Sequence, residues 1–235
     1  PIIHHRTKEY ERILEGVREG LRYLFQVKDE VLIFASSGTG GMEGAVANCL
    51  SQGDKAIVVR AGKFGERWAE ICQVYGVKVV PVDVEWGQAV DPAQVAELLK
   101  EEPGVRAVLV QACETSTGVC HDVNALAEVV RGYEDTLLIV DAVSALGVYD
   151  IPVDGWGLDV VVTASQKAIM LPPGLALVSV SRKAWRFIER SNLPKYYFDF
   201  VKERAALAKN QSAYTAAISL VIGLGVVLEA IRSEG

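Results

Sequence analysis

Cysteine is scarce in this sequence, and no two cysteines form a C-x-x-C pair. The four that occur lie far apart and mostly within apolar segments: Cys49, Cys72, Cys113 and Cys120. No set of Asp, Glu, His or Cys with metal-ligand spacing accompanies the adjacent His4 and His5. The sequence therefore predicts no metal site, reduced thiols and a cytoplasmic location.

Clusters of positive charge and long membrane-spanning runs are also missing. The chain has 24 Lys and Arg against 30 Asp and Glu, a net charge of -6 with no basic cluster, so nucleic acid and anionic membranes are not predicted as partners. No signal sequence of basic and then apolar residues begins the chain. The uncharged run 216–228 is short for a membrane span and contains two glycines, which favours a buried helix.

What the sequence does have is an alternation of apolar strands and amphipathic helices. Continuous Val, Ile and Leu runs predict seven strands, at residues 31–34, 56–59, 78–82, 107–111, 136–140, 160–163 and 175–180. Helical spacing of apolar residues predicts helices at 6–25, 42–50, 65–75, 92–100 and 123–131. This order predicts a three-layer α/β/α fold with a mostly parallel seven-stranded sheet, in which the last strand can run antiparallel.

Polar residues follow four of the predicted strands, where parallel sheets bind their ligands. These segments are 36–41, 114–118, 141–144 and 165–167. The first is rich in Gly and Ser and leads into a helix, an arrangement that binds anions such as phosphate but also serves packing. It lacks the Gly-Lys-Ser/Thr ending of a loop that binds nucleoside triphosphates, and it lacks the glycine spacing of a dinucleotide-binding motif.

Asp141 and Lys167 are the candidate catalytic residues at this edge. Each ends an apolar strand, and each has an ordinary structural alternative, a helix N-cap for Asp141 and a salt-bridge partner for Lys167. A phosphate cradle, a buried acid and a lysine at neighbouring strand ends are what pyridoxal phosphate requires. The lysine amine forms a Schiff base with the cofactor aldehyde, and the carboxylate keeps the pyridine nitrogen protonated.

At these residues the sequence resembles the class V aminotransferases of the fold-type-I pyridoxal-phosphate superfamily, in particular the alanine/serine-glyoxylate and serine-pyruvate group. The resemblance covers essentially the whole chain and rests on ordered motifs: Ile3-His4-His5-Arg6, Ser37-Gly38-Thr39, Gly62-Lys63-Phe64-Gly65, Glu114-Thr115-Ser116-Thr117-Gly118, Asp141-Ala142-Val143-Ser144, Ser165-Gln166-Lys167, Pro172-Pro173-Gly174 and Ser212-Ala213-Tyr214-Thr215.

The resemblance implies a role for each matched position. Lys167 would form the Schiff base, Asp141 would bind the pyridine nitrogen, and Thr115 would lie near the ring hydroxyl. Phe64 and Val143 would pack on the two faces of the ring, although Phe64 has an alternative as ordinary core. Phosphate would be held by Ser37, Gly38, Thr39 and Gln166. Thr215 would reach the phosphate of a neighbouring subunit, which implies a homodimer with shared sites.

The resemblance also implies that residues 1–235 form the cofactor-binding large domain, and that a smaller C-terminal domain carrying the arginine for the substrate carboxylate is missing from this chain. The implied reaction moves an amino group between alanine or serine and glyoxylate or pyruvate. Two alternatives remain open. One is a lyase or desulfurase on the same fold, although desulfurases usually have His where this chain has Gln166. The other is a non-catalytic fragment that binds the cofactor.

Overall fold

A computed structural model describes residues 3–235 of the chain. Its helices are α1 (Lys8–Phe25), α2 (Gly38–Cys49), α3 (Lys63–Val74), α4 (Pro92–Glu101), α5 (Val123–Arg131), α6 (Val153–Trp156), α7 (Arg182–Ile188), α8 (Phe200–Leu207) and α9 (Ile218–Glu234). Its strands are β1 (Val31–Ser36), β2 (Lys55–Arg60), β3 (Lys78–Asp83), β4 (Val105–Gln111), β5 (Cys113–Glu114), β6 (Val119–Cys120), β7 (Leu137–Asp141), β8 (Val160–Ala164) and β9 (Gly174–Val180).

Seven of these strands form one sheet in the order β1-β9-β8-β7-β4-β2-β3. Strand β9 is antiparallel to both of its neighbours, and the remaining pairs are parallel. Strands β4, β7 and β8 lie in the middle, and almost all of their side chains are buried. The predicted three-layer fold, the seven-stranded sheet and the antiparallel last strand are confirmed. The strands could be predicted because strands covered on both faces are apolar throughout.

Helix α2 begins earlier than the sequence pattern predicts. The apolar spacing starts the helix at Met42, whereas the structure starts it at Gly38. Glycine has a low helix propensity, so the first turn carries no helical signal in the sequence. The glycine-rich segment after β1 is therefore the N-terminal turn of a helix, which brings its backbone N–H groups to the edge of the sheet.

The apolar segment near the end of the chain is only partly buried. Helix α9 buries Val221, Leu224 and Leu228 and leaves Val226 exposed, so one face packs inward, against α1. The predicted buried helix is thus correct for one face only. Among residues 3–235, no helix is both long enough and apolar enough to cross a membrane.

Candidate active site

A cleft lies beyond the carboxyl ends of β1, β7 and β8, where the polar segments were predicted to converge. It contains about 560 Å³ of space free of protein atoms, part of which is open to solvent. Every predicted site residue except Thr215 lines it, together with two residues that sequence reasoning missed: Ser37, Gly38, Thr39, Met42, Phe64, Arg67, Thr115, Asp141, Val143, Gln166 and Lys167. The structure therefore brings residues from five separate sequence segments into one cavity.

The N-terminus of α2 forms one wall of the cleft. Ser37 is the N-cap, and its side chain makes no capping hydrogen bond, while its carbonyl accepts from the N–H groups of Gly40 and Gly41 at 3.0 and 3.3 Å. The N–H groups of the first helical residues have no intrahelical acceptor. Together with the positive end of the helix dipole, they make this wall suited to an anion such as a phosphate group.

Gly38 allows this helix end to approach the strands closely. A Cβ atom at this position would lie 2.7 Å from Cγ2 of Val143 and 3.3 Å from Cβ of Ala164. The first distance is shorter than van der Waals contact permits, so any larger residue would displace α2 or Val143. The absence of a side chain at Gly38 is what places the helix N-terminus beside the ends of β7 and β8.

Asp141 is the last residue of β7 and forms the floor of the cleft. Its side chain is buried, and Oδ1 accepts from the Val143 N–H at 2.9 Å. Burial raises the pKa of its carboxyl group to about 6, and the charge of Glu114 adds to the increase. The Val143 N–H, Arg67 and Lys167 act in the opposite direction and lower this pKa. A cation that enters the cleft would favour the ionised carboxylate.

Lys167 lies in the turn between β8 and β9 and is exposed to the cleft. Ser165 fixes this turn, because its hydroxyl donates to the Pro172 carbonyl at 2.8 Å and accepts from the Leu175 N–H at 3.2 Å. Within residues 3–235, the Lys167 amine has no hydrogen-bond acceptor and no ion-pair partner. The salt-bridge alternative for this lysine therefore finds no support in the described chain.

The N-terminus of α3 places Phe64 in the cleft, and Glu114 fixes that N-terminus. Gly62, the N-cap, has no side chain to cap the helix, and the buried Glu114 carboxylate does so instead. Its Oε2 accepts from the N–H groups of Phe64 and Gly65, both at 3.0 Å. Its Oε1 accepts from the N–H and hydroxyl of Ser116. Two motifs far apart in sequence thus form one hydrogen-bonded unit.

Arg67 joins two of the walls. It lies one turn after Phe64, with its guanidinium 4.8 Å from the centre of the Phe64 ring, and it donates to the Thr39 hydroxyl at 3.2 Å. Helical spacing from Phe64 could have identified Arg67 in the sequence. The buried Met42 gave no such signal, because a methionine in an apolar helix is ordinary core.

The last predicted residues have different environments. Thr115 and Ser144 share a hydrogen bond between their hydroxyls at 2.6 Å, which fixes Thr115 at the rim of the cleft. The Oε1 atom of Gln166 is buried without a hydrogen-bond partner in the described chain.

Thr215 lies outside the cleft, is exposed, and lines a separate cavity with Tyr10 and Glu203. Its role at a second subunit's site stays a prediction.

The chain belongs to the aminotransferase class-V family, whose model matches residues 2–235. Class-V aminotransferases are pyridoxal-phosphate-dependent enzymes, so the family and cofactor predicted from the motifs are confirmed.

Individual relatives in this family carry different names. The chain is 43% identical to the soluble hydrogenase 42 kDa subunit of Anabaena cylindrica, with 99% of this chain and 61% of that protein covered. It is 39% identical to the L-aspartate–glyoxylate aminotransferase of Paracoccus denitrificans, covering 100% of this chain and 60% of that protein. The solved alanine–glyoxylate aminotransferase of Nostoc sp. matches with a TM-score of 0.93 at 26% identity, over 100% of this chain and 63% of that one. The chain thus spans about 60% of the length of these curated relatives.

The residues of the cleft fit pyridoxal phosphate. A helix N-terminus without a side-chain cap, in which a Cβ at Gly38 would collide with Val143, suits the phosphate group. Gln166 also lines the cleft, and its carboxamide NH2 group is a donor suited to the phosphate. A buried carboxyl group suits a protonated ring nitrogen, and an amine without a protein partner suits an aldehyde.

Proposed function

We propose that this chain is the cofactor-binding part of an aminotransferase that moves an amino group between a small amino acid and a small 2-oxo acid. The observation that carries the proposal is the meeting of Lys167, Asp141 and the N-terminus of α2 in one cleft. These are the three chemical groups that the aldehyde, the ring nitrogen and the phosphate of pyridoxal phosphate require. Family membership supports the same reaction class.

Pyridoxal phosphate, when bound, supplies an aldehyde that condenses with amines and a ring that accepts an electron pair from the substrate's α-carbon. Lys167 would hold the aldehyde covalently through Nζ, and the same amine can carry a proton at that atom once a substrate amine has displaced it. Asp141 would hold the proton on the ring nitrogen, since its buried carboxylate is stabilised by a positive partner.

The remaining cleft residues would bind and orient the cofactor. The N–H groups at Gly38 and Thr39, the Ser37 hydroxyl and Gln166 would bind the phosphate. Phe64 and Val143 would pack against the two faces of the ring, and Thr115 would lie near its hydroxyl group. Arg67 would hold the Phe64 ring and Thr39 in place, as it does through its two contacts.

We propose alanine or serine as the amino donor and glyoxylate or pyruvate as the acceptor. The relatives named for aspartate–glyoxylate and alanine–glyoxylate transfer support glyoxylate in particular. We also propose a cytoplasmic homodimer in which Thr215 of one subunit reaches the phosphate site of the other. Its exposure and its position outside the cleft of its own chain are compatible with such a role.

The purified protein, loaded with pyridoxal phosphate, tests this function directly. Each of alanine, serine and aspartate is incubated with glyoxylate, and glycine is measured by chromatography. We expect glycine to form with at least one donor, and to be lost in Lys167→Ala but not in Lys100→Ala, an exposed lysine on α4. Size-exclusion chromatography with light scattering tests the dimer.

The same assay separates the alternatives on this fold. Cysteine is added as a further substrate, with sulfide and ammonia measured alongside glycine. Release of sulfide or ammonia without glycine formation would replace the aminotransferase by a desulfurase or lyase. Cofactor binding without either product would indicate the non-catalytic alternative.

A further inference from the structure

A short hairpin beside the cleft brings two of the four cysteines together. Strands β5 and β6 pair antiparallel, and Cys113 is the register partner of Cys120. The turn between them is closed by the N–H groups of Thr117 and Gly118, which donate to the Glu114 carbonyl at 3.1 and 2.8 Å. Both thiols are free, with Cys113 half-buried and Cys120 exposed.

The position of this pair in the hairpin suits a disulfide. At the next pair outward, the His121 N–H donates to the Ala112 carbonyl at 3.0 Å, which is one of the two bonds of a hydrogen-bonded pair, while the Ala112 N–H donates to the Asp141 carbonyl. Hydrogen-bonded and non-hydrogen-bonded pairs alternate along antiparallel strands, so Cys113 and Cys120 occupy a non-hydrogen-bonded position. Cα atoms at such positions are about 4.5 Å apart, within the range of about 4.4–6.8 Å that a disulfide spans.

We infer that Cys113 and Cys120 form a dithiol modification site, which a small disulfide such as oxidised glutathione converts to an intramolecular disulfide. The exposed Cys120 thiolate attacks one sulfur of the oxidant, forming a mixed disulfide and releasing one glutathione thiolate. The Cys113 thiolate then attacks the Cys120 sulfur and displaces the second glutathione. The two cysteines lose two electrons and two protons, and the oxidant is reduced to two thiols.

The environment of the two sulfurs fixes this order of events. Burial and the neighbouring Cys120 thiol raise the pKa of Cys113, which disfavours its thiolate, and the exposed Cys120 is the more accessible thiol for the first step. The other two cysteines are buried in the core. Burial raises the pKa of Cys72 to about 12 and that of Cys49 further, which leaves both unreactive.

The Ser144 hydroxyl is one of the connections between the hairpin and the cleft. Ser144 donates to the Cys113 carbonyl at 3.3 Å and shares a 2.6 Å hydrogen bond with Thr115. Thr115 lies in the hairpin turn and lines the cleft. A disulfide across the base of this turn would restrict the loop that carries Thr115, so oxidation acts at the rim of the proposed cofactor site.

The test is peptide mapping by mass spectrometry after incubation with oxidised glutathione, with free thiols blocked by an alkylating agent. The expected product has lost two hydrogen atoms, and one linked peptide pair contains Cys113 and Cys120. In Cys113→Ser the reaction stops at a glutathione adduct on Cys120, and in Cys120→Ser the hairpin does not react. Circular dichroism of each variant checks that it is folded.

A stable glutathione adduct on Cys120 of the parent chain, which has no substitution, would overturn the inference. It would mean that Cys113 cannot reach the mixed disulfide. Two free hairpin thiols after the incubation, or a link to Cys49 or Cys72, would overturn it as well. None of these readouts depends on cofactor binding or on aminotransferase activity, so the proposed function can fail without affecting this result.

Discussion

The Glu114 carboxylate accepts the backbone N–H of Phe64 at 3.0 Å, across 50 residues of sequence. This bond and its neighbour at Gly65 cap a helix whose own N-cap is a glycine. A carboxylate at this position also interacts favourably with the positive end of the helix dipole. Because Phe64 is the second residue of α3, the orientation of the ring that faces the cleft depends on Glu114.

We predict that Glu114→Gln destabilises the chain by about 1–3 kcal/mol. Both oxygens of Glu114 accept hydrogen bonds only, so an amide NH2 in place of either one would face donors. Urea unfolding measures the change. Glu97→Gln, an exposed glutamate in the middle of α4, is the control and should leave the unfolding free energy unchanged. Equal unfolding free energies for the two variants would show that Glu114 does not stabilise the chain by capping α3.

We predict that Asp141 makes the cofactor-free chain less stable at neutral than at acidic pH. Its folded pKa of about 6 lies above the ordinary value of 3.8, so the folded chain binds this proton more tightly than the unfolded chain does. The stabilisation from this group is complete below about pH 4 and lost as the pH rises through 6. A shift of this size corresponds to about 3 kcal/mol.

Asp141→Asn removes this titration while retaining an oxygen for the Val143 N–H. Its unfolding free energy relative to the parent chain should therefore increase between pH 4 and pH 7. Urea unfolding without cofactor over this pH range measures it, and Glu97→Gln serves again as the exposed-carboxyl control. Parallel pH profiles for Asp141→Asn and the parent would show that Asp141 is ionised at no cost.

We predict opposite effects for alanine at two helical glycines. At Gly38 a Cβ would lie 2.7 Å from Val143, so Gly38→Ala should destabilise the chain by about 1–3 kcal/mol and weaken pyridoxal phosphate binding at least about tenfold, or about 1.4 kcal/mol. At Gly16 in α1 an added Cβ would have no atom within 4 Å, apart from its chain neighbours and the backbone of its own helix. Gly16→Ala should stabilise the chain by about 0.5–1 kcal/mol and leave cofactor binding unchanged.

Equilibrium dialysis and urea unfolding measure both effects on the same preparations. If Gly38→Ala bound the cofactor as tightly as the parent, the N-terminus of α2 would not be its phosphate site.

The sequence predicted the sheet and the members of the cleft well, for a physical reason. Strands such as β7 and β8 are buried on both faces, so their apolar runs end abruptly at Asp141 and before Lys167. In a parallel sheet those ends meet at one edge. The positions of Asp141 and Lys167 could therefore be predicted from the strand pattern, whereas Phe64 was predicted from the family resemblance and Arg67 was missed.

The contacts that hold the cleft residues were not predictable in the same way. The capping of α3 by Glu114 joins residues 50 positions apart, and nothing local in either segment indicates it. Gly38 gives no helical signal although it begins α2. The pairing of Cys113 with Cys120 depends on the register of a hairpin with two-residue strands, which is too short to show a strand pattern.

The central claim is that the Lys167 amine holds pyridoxal phosphate covalently, and borohydride reduction tests it most directly. The protein is incubated with the cofactor, reduced with borohydride and digested, and the peptides are mapped by mass spectrometry. We predict one reduced cofactor adduct, on Lys167, which is absent in Lys167→Ala and unchanged in Lys100→Ala. An adduct on another lysine, or an adduct that persists in Lys167→Ala, would contradict the account.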